Sequence, residues 1–347
     1  MTGKTESQPR KKRPSIKDVA RHAGVSTATV SHVFSRKKHV NETLEQRVLH
    51  AAEVLGYAMD RTASRLRSGR MQMVAVIVPD LVDLFLSQFV ANVEAHAEQA
   101  GYEVIVVCSR NDPQVERTRL RSLLGWRPSG IIAVPCSDSF PQEFLDELGD
   151  IPMVAADRVR PGSNRFDTVT VDNFGSGQQT VDHLIARGAR SILFVAATLD
   201  LLTIRERVRA AKHCVAGVPD ATLSLLEIGS DPKTGAQRLE GWLRENPLPD
   251  AVVGLTNVTT LAVLSAFASL NLNPPQDVLL FGYHDSLWMT ARKTPVTTLQ
   301  QPVDGVARYA WDLLMHRMSD DTSPPQNIVL SSTLIERAST MKTPQGA

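Results

Sequence analysis

From residue 73 onward, short runs of β-branched and apolar residues alternate with longer amphipathic segments, and no other feature narrows the fold as far. Segment 74–78, VAVIV, reads as a buried strand. The spacing predicts a helix over 89–99 closed by Gly101, a strand at 104–108 and a helix at 114–124. Strand 131–134, helix 142–148 and strand 152–155 follow. A second cycle then runs through strand 169–171, helix 177–187, strand 192–196, helix 204–216, strand 225–228 and helix 233–245. It continues with strand 251–253, helix 259–270 and strand 278–281. Strictly alternating strands and helices build parallel sheets with helices on both faces. Two cycles imply two similar lobes, with a site in the crevice at the carboxyl ends of the strands.

The first seventy residues follow a different rule. They hold fifteen Lys/Arg and six Asp/Glu, a net charge of +9, against −8 for the remainder. A basic head on an acidic body suits an arm that meets a polyanion. Ser15 is placed to cap a helix over 16–24, with Asp18 as its reciprocal partner and Ile16, Val19, Ala20 and Ala23 on one face. Gly24 supplies the left-handed residue that ends it. Ser26 then caps a helix over 27–34, whose Val30, Val33 and Phe34 face the first helix. Asn41 caps a third, with Val48, Leu49, Ala52 and Leu55 turned inward. Two short helices joined by Gly24-Val-Ser26 make a helix-turn-helix.

The segments Ile16-Lys-Asp-Val-Ala20, Ala23-Gly-Val-Ser26, Ala28-Thr-Val-Ser31 and Leu55-Gly-Tyr57 closely resemble the signature of the LacI/GalR family of bacterial transcription regulators. Segment 61–70, RTASRLRSGR, resembles that family's hinge. The fold class implied is α/β: a three-helix helix-turn-helix domain plus a two-lobed periplasmic-binding-protein-like body with doubly wound parallel sheets. The resemblance divides the chain into a disordered basic tail (1–14), the DNA-binding domain (15–60), a hinge helix or linker (61–70), an effector-binding and dimerisation body (71–342) and a tail (343–347). Within the body it assigns 71–168 and 302–329 to the N-lobe, and 169–301 and 330–342 to the C-lobe. With no leucine heptad after residue 340, a homodimer is expected.

The second helix of such a domain enters the major groove by its N-terminal half. Thr27, Ala28 and His32 fall on the base-reading positions, and Ser26, Thr29 and Ser31 are placed to donate to phosphates. Ser15, Tyr57 and Arg61 join this DNA-facing set. His32 departs from the family, which usually has Arg there. An imidazole makes one hydrogen bond where a guanidinium makes two to guanine, so an altered operator is expected. Leu66 matches the hinge Leu that wedges into the minor groove, with Arg61, Arg65, Arg67 and Arg70 to hold the phosphates.

In the body, the resemblance names Asp83, Phe85, Asp157, Arg207, Asn257 and His284 as effector contacts. A guanidinium at Arg207 suits a carboxylate, phosphate or diol. Val258 and His284 stand where the family usually has Asp, and an imidazole can be neutral or cationic. The expected effector is a sugar acid, with a neutral sugar or a sugar phosphate as alternatives. Asp157 and Asp285 remain as acceptors for neutral hydroxyls.

Two other classes compete. Gly175-Ser-Gly177 follows a strand and opens a helix as a dinucleotide loop would, but the third glycine and the distant acidic residue are missing. A transport solute-binding protein would suit the body but leaves the basic head without a role. Three cysteines without a CxxC pair exclude a disulfide framework and a cysteine zinc site. The longest apolar runs fall far short of a bilayer span, and the first residues are polar and basic rather than a secretory signal. A cytoplasmic regulator of double-stranded operator DNA is expected, with no enzyme activity, no cofactor, no metal and no membrane association.

Overall fold

The computed structural model of the protein describes residues 14–35, 40–55, 57, 72–162, 165–319 and 322–341. The chain divides into two units, Met1–Met71 and Gln72–Ala347. In the first, helices α1 (Ile16–Ala23), α2 (Thr27–Ser35) and α3 (Glu42–Leu55) enclose a small core. The Asp18 carboxylate reaches back to the start of α1, accepting from the Ser15 amide at 2.9 Å and the Ser15 hydroxyl at 2.6 Å. Gly24, at φ +62°, ends the helix and turns the chain toward α2. Ser26 Oγ accepts the Thr29 amide at 3.0 Å, and Asn41 Oδ1 accepts the Thr43 amide at 2.9 Å. Val19, Val30 and Val48 are fully buried.

Leu49 corrects the expected inner face of α3. It is 47% exposed, and Ala51 is buried instead. Val48, Ala51, Ala52 and Leu55 follow i, i+3, i+4, i+7 spacing, whereas Leu49 lies about 100° around the helix from Val48. The tail 1–13, the hinge 61–70 with Arg61 and Leu66, and the tail 343–347 lie outside the described residues.

The second unit alternates as expected. The first lobe contains β1 (Met73–Val78), α4 (Leu84–Gln99), β2 (Glu103–Cys108), α5 (Pro113–Gly125), β3 (Gly130–Ala133), α6 (Gln142–Glu147), β4 (Met153–Ala156) and β5 (Asp167–Val171). The second contains α7 (Asn173–Ala186), β6 (Ser191–Ala196), α8 (Leu202–Ala216), β7 (Thr222–Glu227), α9 (Pro232–Glu245), β8 (Ala251–Gly254), α10 (Asn257–Ser269), β9 (Leu279–Tyr283), α11 (Leu287–Thr290) and β10 (Thr297–Gln300). The chain then returns to the first lobe for α12 (Val303–Met318) and β11 (Asn327–Leu330), and ends in the second with β12 (Thr333–Ile335).

The sheet orders are β11-β5-β4-β3-β1-β2 and β12-β10-β9-β8-β6-β7. Among the described residues, every pairing is parallel except β10 with β12. β1 and β3 are buried along their whole length, as a sheet covered on both faces requires. Phe89 and Val93 of α4 meet Ala307 and Trp311 of α12 over one face of the first sheet, and Leu120 with Phe144 covers the other. Val181, Leu184, Val208 and Ala211 cover one face of the second sheet, and Leu239, Val263 and Phe267 the other.

The lobe boundaries differ from expectation at two points. β5 hydrogen-bonds to β4 and β11, so residues 169–171 belong to the first sheet. Leu330, assigned to the C-lobe, pairs with Val171 in that same sheet. The crossovers therefore follow Val171, Gln300 and Leu330.

Candidate functional site

The amino end of α2 is presented to solvent. Ser26, Thr27 and Ala28 are exposed, while Thr29, Ser31 and His32 are half-buried at its flank. Val30 and Val33 anchor the opposite side in the core. Ser15 is exposed at the start of α1. The Tyr57 ring is tilted against Phe34 at 5.9 Å between centroids, so its ring also serves the core. The exposed end of α2 offers hydroxyls, a methyl group and a helix start, a surface suited to phosphates and base edges.

In the second unit, five expected effector residues come together between the lobes. Asp83, Phe85, Asp157, Arg207 and Asn257 all border one cavity of about 40 Å³. Asp83 caps α4 by accepting the Phe85 amide at 2.9 Å, and takes Asn257 Nδ2 from across the cleft at 2.7 Å. Phe85 thereby sits in the first turn of a helix that begins five residues before the periodicity suggested. A second chamber of about 350 Å³ adjoins the first, sharing Asp157 and Thr203 and extending past Arg160, Asn173 and Glu206. Only the larger space reaches the roughly 300–1,000 Å³ of ordinary ligand pockets.

Arg207 is 3% exposed, unlike its helix neighbour Arg209. Its Nε donates to Asn173 Oδ1 at 2.9 Å and its Nη1 to the Leu255 carbonyl at 2.5 Å. Its guanidinium lies 4.3 Å from the centre of the Tyr283 ring. Among the described residues nothing accepts from its Nη2. Burial lowers the Arg207 pKa, with Tyr283, Asp157 and Asp83 opposing, yet a guanidinium keeps its charge. Burial pushes the Asp157 carboxyl up, against the pull of Arg158 and Arg207. Asp157 sits at φ +61°, and its Oδ1 has no hydrogen-bond partner among the described residues.

His284 differs from expectation. It does not border the cavity but stands behind Phe85, edge-on at 5.8 Å between ring centroids. Its ring is fully buried, and neither nitrogen has a partner among the described residues. Burial lowers its pKa, with Asp83 and Asp285 opposing, so the ring is neutral and adds no cation to the cleft. Asp285 is also unavailable as a hydroxyl acceptor. Arg337 holds it at 2.6 and 2.7 Å, and although burial raises its pKa, those bonds bring it below the usual range.

Sequence reasoning missed Arg158, Thr203 and Gln301, which border the same cavity, and Asp138, which reaches the second lobe from a loop. These residues lie in or beside loops, where no periodicity marks a direction. The glycine pair is not a phosphate loop. Gly175 and Gly177 lie within α7, and Asp172 already takes the Gly175 amide at 2.8 Å. Among the described residues, no group of three or more potential metal ligands forms, and no helix is long and apolar enough to cross a membrane.

Comparison with known proteins follows the same division. Residues 15–60 match the family described as bacterial regulatory proteins, lacI family, and residues 181–340 match a periplasmic binding protein-like domain. The HTH-type transcriptional regulator PtxS of Pseudomonas putida is 32% identical over 334 residues, covering 95% of this chain and 97% of that protein. The HTH-type transcriptional repressor PurR of Haemophilus influenzae is 30% identical, covering 88% of this chain and 91% of that protein. The lac repressor dimer bound to operator and the anti-inducer ONPF superposes with a TM-score of 0.82 at 24% identity, over 95% of this chain and all of that one. The regulator CelR in complex with cellobiose gives 0.69 at 26%, over 94% of this chain and all of that one.

Proposed function

This chain belongs to the LacI family of bacterial regulatory proteins and is a DNA-binding transcriptional regulator rather than an enzyme; we propose that it represses genes of sugar-acid or sugar catabolism and leaves a palindromic operator when a small polyhydroxylated acid binds between its lobes. The observation that carries the acid is Arg207, a buried cation whose Nη2 has no acceptor among the described residues and which shares its cavity with Asn257 and Asp157. Arg207 takes the acid group and Asp83, Asp157 and Asn257 meet hydroxyls. Phe85 gives the ring or chain an apolar face, with His284 backing it.

On DNA, a homodimer places Thr27, Ala28 and His32 of each copy in successive major grooves. Ser15, Ser26, Thr29, Ser31, Tyr57 and Arg61 hold the backbone, and Leu66 wedges the centre. The small cleft cavity must open to admit a ligand. The resulting change of lobe angle passes through residues 61–70 to the DNA-binding helices.

A thermal-shift panel of gluconate, glucose, glucose 6-phosphate and hypoxanthine tests the ligand class. At a hundredfold excess over its dissociation constant, a bound ligand adds about 2.7 kcal/mol of stability. Stabilisation by gluconate or another sugar acid is expected. Stabilisation by glucose or hypoxanthine alone would overturn the Arg207 argument while leaving the regulator intact.

A further inference from the structure

Helix α8 carries Thr203 and Arg207 into the cleft, yet it starts without a cap of its own. Its N-cap residue is Leu201, whose side chain has no acceptor for the amides of the first turn. The acceptor comes from the other lobe. Asp138, in the loop between β3 and α6, takes the Leu202 amide on Oδ1 at 3.1 Å and the Arg205 guanidinium on Oδ2. Arg205 also donates to the Asp200 carbonyl, which holds its fork toward that loop. The loop itself is anchored from within its lobe. Glu116 of α5, 1% exposed, accepts the Cys136 amide at 2.7 Å, and its carboxyl is raised chiefly by burial.

We propose that Asp138 is a latch: a carboxylate of the first lobe that caps a helix of the second, so that closing the lobes completes the start of α8 and opening them uncaps it. The latch rests on the reading that the cleft between the lobes is the effector site. It acts through a charge-assisted bond at a helix start, where an anion is favoured. Asp138 touches no part of the proposed ligand contacts, so it is a positioning residue. It biases the lobe angle and, through that angle, the affinity for any ligand in the cleft.

The test uses the full-length protein without ligand. Hydrogen–deuterium exchange is read at the amides of residues 202–205 in the wild type, Asp138→Ala and Asp138→Asn. Exchange in Asp138→Ala is expected to rise by about two- to thirtyfold, the range of losing one helix cap. Asp138→Asn, which keeps an acceptor but loses the ion pair, falls between. Unchanged exchange in both variants overturns the latch. A second variant separates latching from mere helix stabilisation. Leu201→Ser added to Asp138→Ala supplies a cap from within the second lobe. Protection at 202–205 should return, while the radius of gyration from small-angle scattering stays larger than the wild type's. Return of both to wild-type values would reduce Asp138 to a helix cap and overturn the proposal. Because no ligand is present, failure of the sugar-acid panel bears only on the effector reading.

Discussion

Gly177 is the place where the packing of the site can be tested by adding one methyl group. It lies in the interior of α7, against α8. A Cβ built there would stand 2.4 Å from the Arg207 carbonyl oxygen, 2.8 Å from the Arg207 Cα and 3.0 Å from Ala210 Cβ. The first two are backbone atoms, which no side-chain rotation can clear. Relief requires α8 to move by roughly 1 Å, which would bring the contact back to an ordinary van der Waals separation. Overpacking of this kind costs about 1–3 kcal/mol, against about 0.8–1.0 kcal/mol gained from exchanging a helix glycine for alanine. Gly177→Ala is therefore expected to destabilise the body by about 1 kcal/mol. It should also shift Arg207 and weaken any ligand bound there. Gly241, inside α9 with nothing within 4 Å of its built Cβ, is the control. Gly241→Ala should stabilise by about 0.8–1.0 kcal/mol, the helix propensity alone. Urea denaturation of both variants gives the two values. A Gly177→Ala protein stabilised as much as Gly241→Ala would show that α7 and α8 are not in close contact, and the placement of Arg207 would fall with it.

Other consequences follow from single side chains. His284 and His183 both have pKa values lowered chiefly by burial. Each binds fewer protons folded than unfolded, so the stability they permit is full above the unfolded value of about 6.5 and is lost as pH falls below it. Denaturation at pH 7.5 and 5.5 should show the loss, reduced in His284→Asn, which tolerates the φ of +63° at that position; an equal loss in the variant would place the titration elsewhere. His32→Arg should sharpen discrimination at one base pair by about 1–3 kcal/mol. Selection from a random duplex library before and after the change reads it directly, and an unchanged site would remove His32 from the groove. Arg207→Gln should leave operator binding intact in the absence of ligand and remove stabilisation by the sugar acid. Retained stabilisation would place the acid group elsewhere.

Much of this architecture is written in local pattern. β1, β3 and β9 are continuous apolar runs because both sheet faces are covered, and such runs are visible without a structure. Helix starts were less legible. α4, α7 and α10 begin two to five residues early because Asp83, Asp172 and Thr256 take amides of the first turn, and that happens where apolar periodicity has not yet begun. β5 joins the first sheet through β4 on one side and the distant β11 on the other, pairings that its own short apolar run does not announce. Leu49 misled because an apolar residue next to Val48 reads as core until the neighbouring helices fix the angle of the buried face.

The site divides in the same way. Asp83, Phe85, Asp157, Arg207 and Asn257 converge because each stands at a strand end or in the first turns of a helix facing the crevice. His284 stands on such an end too, but it packs edge-on against the Phe85 ring and does not border the cavity. Its charge state follows from burial, which composition does not reveal. Asp138 was invisible because its partner is an uncapped helix of the other lobe.

One binding curve tests most directly whether an acidic effector releases the operator through Arg207. The full-length protein is used to select a palindromic duplex from a random library, and fluorescence anisotropy then follows that duplex as gluconate or another sugar acid is added, with glucose in parallel. Tight, salt-sensitive binding is expected, reversed by the acid and not by glucose, with Arg207→Gln binding the duplex normally and ignoring the acid. Binding that no sugar acid reverses, or that glucose alone reverses, would contradict the assignment of Arg207 as the residue through which an acidic effector releases the operator.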